Sequence, residues 1–449
     1  MASLLEVLQS DSNSRDRLAE LNAVPGLVDI LHDFLDVHDQ HAESVSKKES
    51  TNDDTDVDAE VEKRRVRDES GVVAGNALKA LIDMTQTVAT RLRVVDAGGI
   101  GPVCRLMDAD VFVEAVAERA VVLLINCCTN SSADGIDESD DPFSPAAKVK
   151  KAVAQTGGVL KIINGLKRTP SDNAGLRAVH LLSLLSDEPS VRVKFRAVDS
   201  GGKDDAGFAA LIPFLEMNVN GGKSGKSAST PIPTHVKHAA VASNNLCIND
   251  VPNKELFCKA GGIPPLMGLL HGGSPNGFSG KLNVIPLITK TVVDAVSTLA
   301  MDNDLCDQVV CDTGVLPSLV SLVGDSRCDQ DLNLSTIHAV MHMARDSRDA
   351  KRQLTEHGIV PKMRDIVDGY DPSVESSEVM VIPAISCMVN LAVDTEYWGQ
   401  AELAEEGVIG PVKRSFELGT YTSHKILLAF SSPFPARSSP PFRAFQHIL

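Results

Sequence analysis

The chain has 449 residues, with 43 Lys and Arg against 60 Asp and Glu, which gives a formal charge of −17. That balance argues against a protein whose main task is gripping nucleic acid, because phosphate binding needs a basic surface. Apolar residues make up 43% but aromatic ones only 4%, with Trp398 the single tryptophan, a mixture suited to helix-on-helix packing rather than a β-sandwich.

The N-terminal stretch 1–18 has no basic n-region, and its apolar run is too short for a signal peptide. No window of about 18 consecutive apolar residues occurs, so no transmembrane helix is expected. Nine Cys are scattered as Cys104, Cys127, Cys128, Cys247, Cys258, Cys306, Cys311, Cys328 and Cys387, without a C-x-x-C pair. Their spacing fits neither a zinc ribbon nor a disulfide framework, and they read as small buried apolar residues in a reducing compartment. The expected localisation is cytoplasmic, with the nucleus also open.

One phrase recurs down the chain: a polar helix, a Gly or Gly-Gly break, an apolar residue or Pro, then a Leu/Val-rich run. It appears as LNAVPGLVDIL (21–31), DAGGIGPVCRLM (96–107), QTGGVLKIINGL (155–166), KAGGIPPLMGLL (259–270), DTGVLPSLVSLV (312–323), EHGIVPKMRDIV (356–367) and EEGVIGPVKRSF (405–416). A blurred copy, DSGGKDDAGFAALIPFL (199–215), carries an insertion after Gly202. The Gly supplies a left-handed cap that ends one helix, and the nearby Pro suits the first turn of the next. LMGLL and LVSLV place apolar residues at i, i+3 and i+4, one stripe of a helix. Upstream of each break lies a short amphipathic helix such as VPNKELFCKA or SRDAKRQLTE. Downstream lies a longer third helix: GNALKALIDM, AERAVVLLINCC, LRAVHLLSLLSD, VKHAAVASNNLC, KTVVDAVSTLAM, STIHAVMHMA and AISCMVNLAV, in chain order.

This plan resembles the armadillo-repeat family, and A-G-G-I-P-P-L-M-G-L-L at 260–270 with V-N-L-A at 389–392 carries the resemblance. The likeness covers roughly residues 14–418, as seven fairly complete repeats and a truncated eighth. It implies an all-α fold, a right-handed α-solenoid of armadillo (ARM/HEAT-like) repeats with third helices lining a concave groove. The repeats are expected to form one domain over 1–418, followed by a Pro/Ser/Phe-rich tail at 419–449 without fixed structure.

The stretch 38–70 is acidic and lacks an apolar period, so it reads as a disordered insertion. Its basic cluster Lys63-Arg64-Arg65-Val66-Arg67 reads as charge balance for the acids before it. Further loop insertions occupy 131–145, 217–234 and 271–281.

Several patterns mimic chemistry. G-G-K-S-G-K-S at 221–227 looks like a phosphate loop, but Asn220 stands where a Walker motif needs Gly, and no strand precedes it. His338 and His342 are four apart, as metal ligands can be, yet no Glu follows in the zincin pattern and no third ligand is evident. His235 and His238 likewise lack partners. Neither an enzyme, a cofactor nor a metal is expected.

Two function classes remain. The first is a scaffold or adaptor that binds a partner protein or extended peptide in the groove. The alternative is a regulatory cofactor of a chaperone or small GTPase that speeds nucleotide exchange. Nucleic acid is not an expected partner, and the chain is expected to be a monomer. Nuclear import receptors would require a Trp and Asn ladder on the third helices. Asn126, Asn245 and Asn390 fit the Asn, but the Trp position holds Val122, Val241 and Ser386.

Aligned on the Asn position, the third helices give one polar row: Asp83, Asn126, Ser183, Asn245, Thr298, His342 and Asn390. One turn earlier come Lys79, Val122, Val179, Val241, Asp294, His338 and Ser386. Two turns earlier come Asn76, Arg119, Leu176, His238, Thr291, Ser335 and Pro383. Positions i, i−4 and i−7 share one helix face, so these rows predict a groove stripe. Asn76, Arg119, Asn126, His238, Asn245, Asp294, His338, His342 and Asn390 are its candidate contacts, with the histidines and Arg119 biasing the middle toward acidic or polar ligands.

Overall fold

A computed structural model of the protein describes residues 23–49, 57–108, 114–129, 144–167, 172–197, 206–216, 233–270, 286–369 and 375–392. Among the described residues every regular element is helical, with no strand. The chain divides into two compact units, Met1–Leu211 and Ile212–Leu449. The division falls inside the blurred phrase at 199–215.

The first unit opens with α1 (Ala23–Glu49) and α2 (Val57–Met84). A triplet follows: α3 (Val88–Asp96), α4 (Ile100–Leu106) and α5 (Glu114–Cys128). A second triplet is α6 (Pro145–Gln155), α7 (Gly158–Leu166) and α8 (Asn173–Leu185), and α9 (Pro189–Ala197) with α10 (Ala206–Leu211) closes the unit. The second unit begins with α11 (Pro213–Glu216) and α12 (Thr234–Cys247). Three triplets complete it: α13 (Val251–Lys259), α14 (Ile263–Gly268), α15 (Pro286–Ala300); α16 (Asp304–Asp312), α17 (Leu316–Leu322), α18 (Gln330–Asp346); α19 (Arg348–Glu356), α20 (Ile359–Asp368), α21 (Glu375–Ala392). Short first and second helices before a longer third make this an all-α fold of three-helix repeats.

The junctions form for the reason the recurring phrase suggests. Gly98, Gly157, Gly261, Gly314 and Gly358 all have φ between +71° and +80°. At Gly261 the geometry is a full Schellman cap: its N–H donates to Cys258 O at 2.9 Å, and that of Gly262 to Phe257 O at 3.0 Å. Gly262 is needed for a second reason, since a Cβ there would meet the Phe257 ring at 2.1 Å. First helices begin at side-chain caps: Thr87, Ser144, Asp250, Asn303 and Ser347 each accept from an N–H of the first turn.

Within the first unit the third helices α2, α5 and α8 pack side by side, and within the second α12, α15, α18 and α21 do the same. Leu78, Leu81, Leu123 and Leu124 are fully buried between the former, and Leu246, Val296, Val340 and Ala384 between the latter. Truncating any such Leu to Ala costs about 2–5 kcal/mol, because these layers collapse only partly into the gap. Basic residues of first helices close the C-terminal ends of third helices. Arg91, 5% exposed, donates from Nε to Thr85 O at 2.9 Å and from Nη1 to Thr129 O. Lys254 donates to Met301 O in the same manner, which matches the partial negative charge of a helix C-terminus.

The expectation of disorder across 38–70 needs correction. Helix α1 continues through residue 49 and α2 starts at residue 57, so only 50–56 of that stretch lie outside the described residues. The run lacks an apolar period, but Glu, Lys, Arg and Ala are strong helix formers, so helical backbone does not require one. Residues 131–143, 217–232 and 271–281 of the other insertions, the phrase at 405–416 and the tail 419–449 all lie outside the described residues, as does the G-G-K-S-G-K-S stretch. Ser144 caps α6 and Thr234 opens α12.

Candidate functional site

In the second unit the aligned row positions lie at half-exposed places on the third helices. On α12, His238, Val241 and Asn245 are half-buried; on α15 so are Thr291, Asp294 and Thr298, and on α18 Ser335, His338 and His342. On α21 Ser386 and Asn390 continue the row, while Pro383 is buried and the adjacent Ile382 is half-exposed. Beside these rows Ala242, Val292, Val296, Ile337 and Cys387 are completely buried, while Asn244, Ser297, Met341 and Val389 are half-exposed. A half-open polar face over an apolar floor therefore crosses four adjacent helices.

In the first unit the stripe includes Asn76, Lys79 and Asp83 on α2 and Arg119, Val122 and Asn126 on α5, all half-buried. Arg119 lies across the neighbouring helix, where a Cβ on Gly75 would meet its Nη1 at 2.7 Å. The alignment is off by one residue on α8. Val179 is fully buried and Ser183 is 8% exposed, with its hydroxyl turned to His180 O at 2.7 Å. The half-open positions there are Arg177, His180 and Leu184, together with Leu176 of the predicted row. One residue turns a helix by about 100°, so a serine mistaken for the row member carries the predicted face toward the core at Val179 and Ser183.

The amides of the row are not equivalent. Asn126 Nδ2 donates to Ile82 O at 3.4 Å, and Asn390 Nδ2 to Met341 O at 3.1 Å, each on the preceding third helix. At the same level Thr298 Oγ1 donates to Asn244 Oδ1 at 2.9 Å. Asn126 and Asn390 thus lock successive repeats together while keeping their carbonyl oxygens as acceptors. Asn245 makes no such bond among the described residues and keeps both its donor and its acceptor available.

The middle of the second unit's stripe is where charge gathers. Asp294 pairs with Lys290 at 3.0 Å on α15, and Arg345 pairs with Asp302 at 2.5 Å. Asp302 sits in the turn after α15 with φ of 59°, a left-handed conformation that Asx residues tolerate. Burial lowers the pKa of His338, against the opposing pull of Asp294. Burial lowers that of His342 further, to about 4, helped by the cations of Arg345 and Lys254 and by His338. No acceptor reaches the buried Nδ1 of His342 among the described residues. Arg345, Asp302 and Lys254 were absent from the sequence-derived stripe, although Arg345 follows His342 by three residues and so shares its side of α18.

The remaining candidates for chemistry point elsewhere. Burial pushes the thiols of Cys104 and Cys311 up to about 11 and those of Cys127 and Cys387 up to about 12, the reverse of what a nucleophile needs. Among the described residues no cluster of three His, Cys, Asp or Glu is arranged to hold a metal. A shallow pocket of the first unit, between α4, α5, α7 and α8, has Val121, Ile162 and Ala178 on its floor and Glu114, Glu118 and the Lys161–Asp108 ion pair at its rim.

No family model matches the sequence, and neither does any curated protein. Solved structures are similar to it. An engineered protein is similar with a TM-score of 0.57 at 16% identity, covering 94% of this chain and 90% of its own. A designed armadillo repeat protein is similar at 15% identity and a TM-score of 0.46, over 65% of this chain and 99% of its own. Another, solved in complex with the peptide (KR)4, is similar at 14% identity and 0.45, over 65% and 99%.

Proposed function

We propose, taking the chain as an all-α protein of armadillo-type repeats, that it is a non-catalytic scaffold holding an extended segment of a partner protein along the stripe of its second unit. The observation that carries this reading is the half-open polar row on four adjacent helices, set over a fully buried floor. An extended peptide brings backbone donors and acceptors that must be matched when covered, and a periodic row of amide, hydroxyl and imidazole groups matches them. Asn245 offers donor and acceptor together, and the small Val241 and Ser386 leave room beside the polar positions. The buried thiols with raised pKa values support a binding role over nucleophilic chemistry.

The test is to fill that room without touching the inter-repeat locks. Val241→Gln with Ser386→Gln adds two long neutral side chains at half-exposed positions. Affinity capture followed by mass spectrometry on the wild type defines the partners. The double variant, melting as the wild type does, should lose them. A folded double variant that retains every wild-type partner defeats the reading.

A further inference from the structure

We propose that the centre of this stripe, formed by His338, His342 and Arg345, is a seat for an acidic side chain of the bound segment, and that seating it is coupled to proton uptake. The inference rests on the groove reading above and adds the chemistry of its occupant.

The argument begins with charge. His338 and His342 stand one turn apart on α18, and Arg345 stands three residues beyond His342, so all three share one side of the helix. The groups facing His342 are Arg345 and His338 on its own helix, Asp302 in the turn after α15, and Lys254 on α13. Asp294, on α15, faces His338. The acids are already engaged: Asp294 with Lys290, Asp302 with Arg345. On α21 the neighbouring row positions are the neutral Ser386 and Asn390. Around His342 the cations Arg345 and Lys254 balance Asp302 and the buried Asp307, which faces Lys254, so the locality is neutral before either imidazole is protonated. This lies within a chain of charge −17, so a locality without net negative charge stands apart from the whole.

The second step is burial. In the ligand-free groove both rings are kept neutral by desolvation, and a proton on His342 would stand beside cations with no acid free to compensate it. A carboxylate brought by a ligand supplies that missing charge. It accepts N–H bonds from the imidazoles, adds charge-assisted character to them, and stabilises the protonated ring. A neutral or basic side chain placed there gains nothing from the rings and meets Arg345. Acidic occupancy and protonation therefore favour each other, and the coupling is reciprocal.

The experiment uses the full chain and three labelled peptides of equal length: oligoglutamate, oligolysine and a neutral Gly/Ser control. A single-stranded oligothymidylate serves as a fourth probe, and binding is read by fluorescence anisotropy. Bulk electrostatics favours oligolysine on so acidic a protein, so tighter binding of oligoglutamate isolates the local site. Its affinity should rise about three- to tenfold between about pH 7.5 and about pH 6. His338→Gln with His342→Gln should abolish that rise while keeping the wild-type melting temperature. Preference for oligolysine, tighter binding of the oligonucleotide, no binding of oligoglutamate, or an unchanged pH response in the double variant overturns the proposal. If the acidic preference fails while Val241→Gln with Ser386→Gln still strips the captured partners, the groove reading stands and only its ligand chemistry is wrong.

Discussion

Asn390 reaches from the last described helix to the carbonyl oxygen of Met341 on the helix before it, 3.1 Å away, and Asn126 makes the corresponding bond to Ile82 at 3.4 Å. Asparagines that sequence alignment places in one ligand-facing row therefore differ in role. Asn390→Ala should cost about 1 kcal/mol through the lost hydrogen bond, and Asn126→Ala somewhat less at its longer distance. Asn245→Ala should leave the melting temperature within error, because Asn245 locks nothing. Equal destabilisation by all three substitutions would show that the inter-repeat bonds do not form.

The paired glycines make separable contributions. Gly261→Val forces a β-branched residue to φ of +80° with open space around it, so its cost is backbone strain, about 1–2 kcal/mol. Gly262→Ala has an ordinary backbone but drives its Cβ into the Phe257 ring at 2.1 Å, and overpacking of this kind costs about 1–3 kcal/mol. The double substitution Gly262→Ala with Phe257→Leu should recover part of that loss, whereas Phe257→Leu should not rescue Gly261→Val. Urea denaturation of the four variants checks the pattern, and rescue of both or neither contradicts it.

The repeat plan was legible because its punctuation is backbone chemistry: a left-handed Gly, a nearby Pro and a 3.6-residue apolar period act locally and leave direct marks on sequence. The outward-facing positions were legible on α5, α12, α15 and α18 for the same reason, since the apolar flanks fix which way each helix faces. It failed on α8, where Ser183 satisfies its hydroxyl inside its own helix and the outward position is Leu184, a reversal that polarity alone misreads. The helical backbone of 57–70 escaped because helix propensity without an apolar stripe gives no periodic signal. The Asn126 and Asn390 locks, and the convergence of Lys254 and Asp302 on His342, depend on contacts more than 39 residues apart in sequence and leave no mark on local pattern.

Arg91 is a second lock, and a stronger one. It is nearly buried and serves the carbonyls of Thr85 and Thr129, at the ends of two successive third helices. Arg91→Met keeps the aliphatic stem but strands those carbonyls, which should cost about 2–3 kcal/mol. Arg91→Lys should recover only part, since one ammonium on a flexible stem does not reproduce the forked geometry. Thermal unfolding of the two variants measures this directly; if Lys restores full stability, simple charge at the helix end is enough.

The cysteines offer a probe of packing. Cys258 and Cys328 are half-exposed, and the other seven are buried. A small thiol reagent at mildly alkaline pH should modify those two first and reach the rest at the rate of unfolding, because burial both shields the sulfur and suppresses the thiolate. Mass spectrometry of partially labelled protein identifies the sites. Early labelling of Cys127 or Cys387, whose thiols burial pushes up to about 12, would mean that the helix layers around them open readily.

The half-buried histidines should make the fold less stable in acid. His342 falls from its ordinary 6.5 to about 4 in the folded protein, chiefly through burial, with Arg345 and His338 adding to it. His180, His235 and His338 shift the same way, each mainly through burial. Above the ordinary value both the folded and the unfolded chain hold the ring neutral, and the histidine contributes no pH dependence. Below it the unfolded chain takes up a proton that the folded chain refuses, so stability falls as pH drops from about 6.5 to about 4 and levels off beneath that, once the folded ring also titrates. Asp302 and Asp294 oppose the effect without reversing it. His342→Gln removes the largest of these shifts and should flatten the slope of unfolding free energy between about pH 6.5 and about pH 5, while leaving stability near neutrality little changed. Urea unfolding of the wild type and variant across that range measures both slopes. A variant as steep as the wild type would show that His342 is not held neutral by the groove.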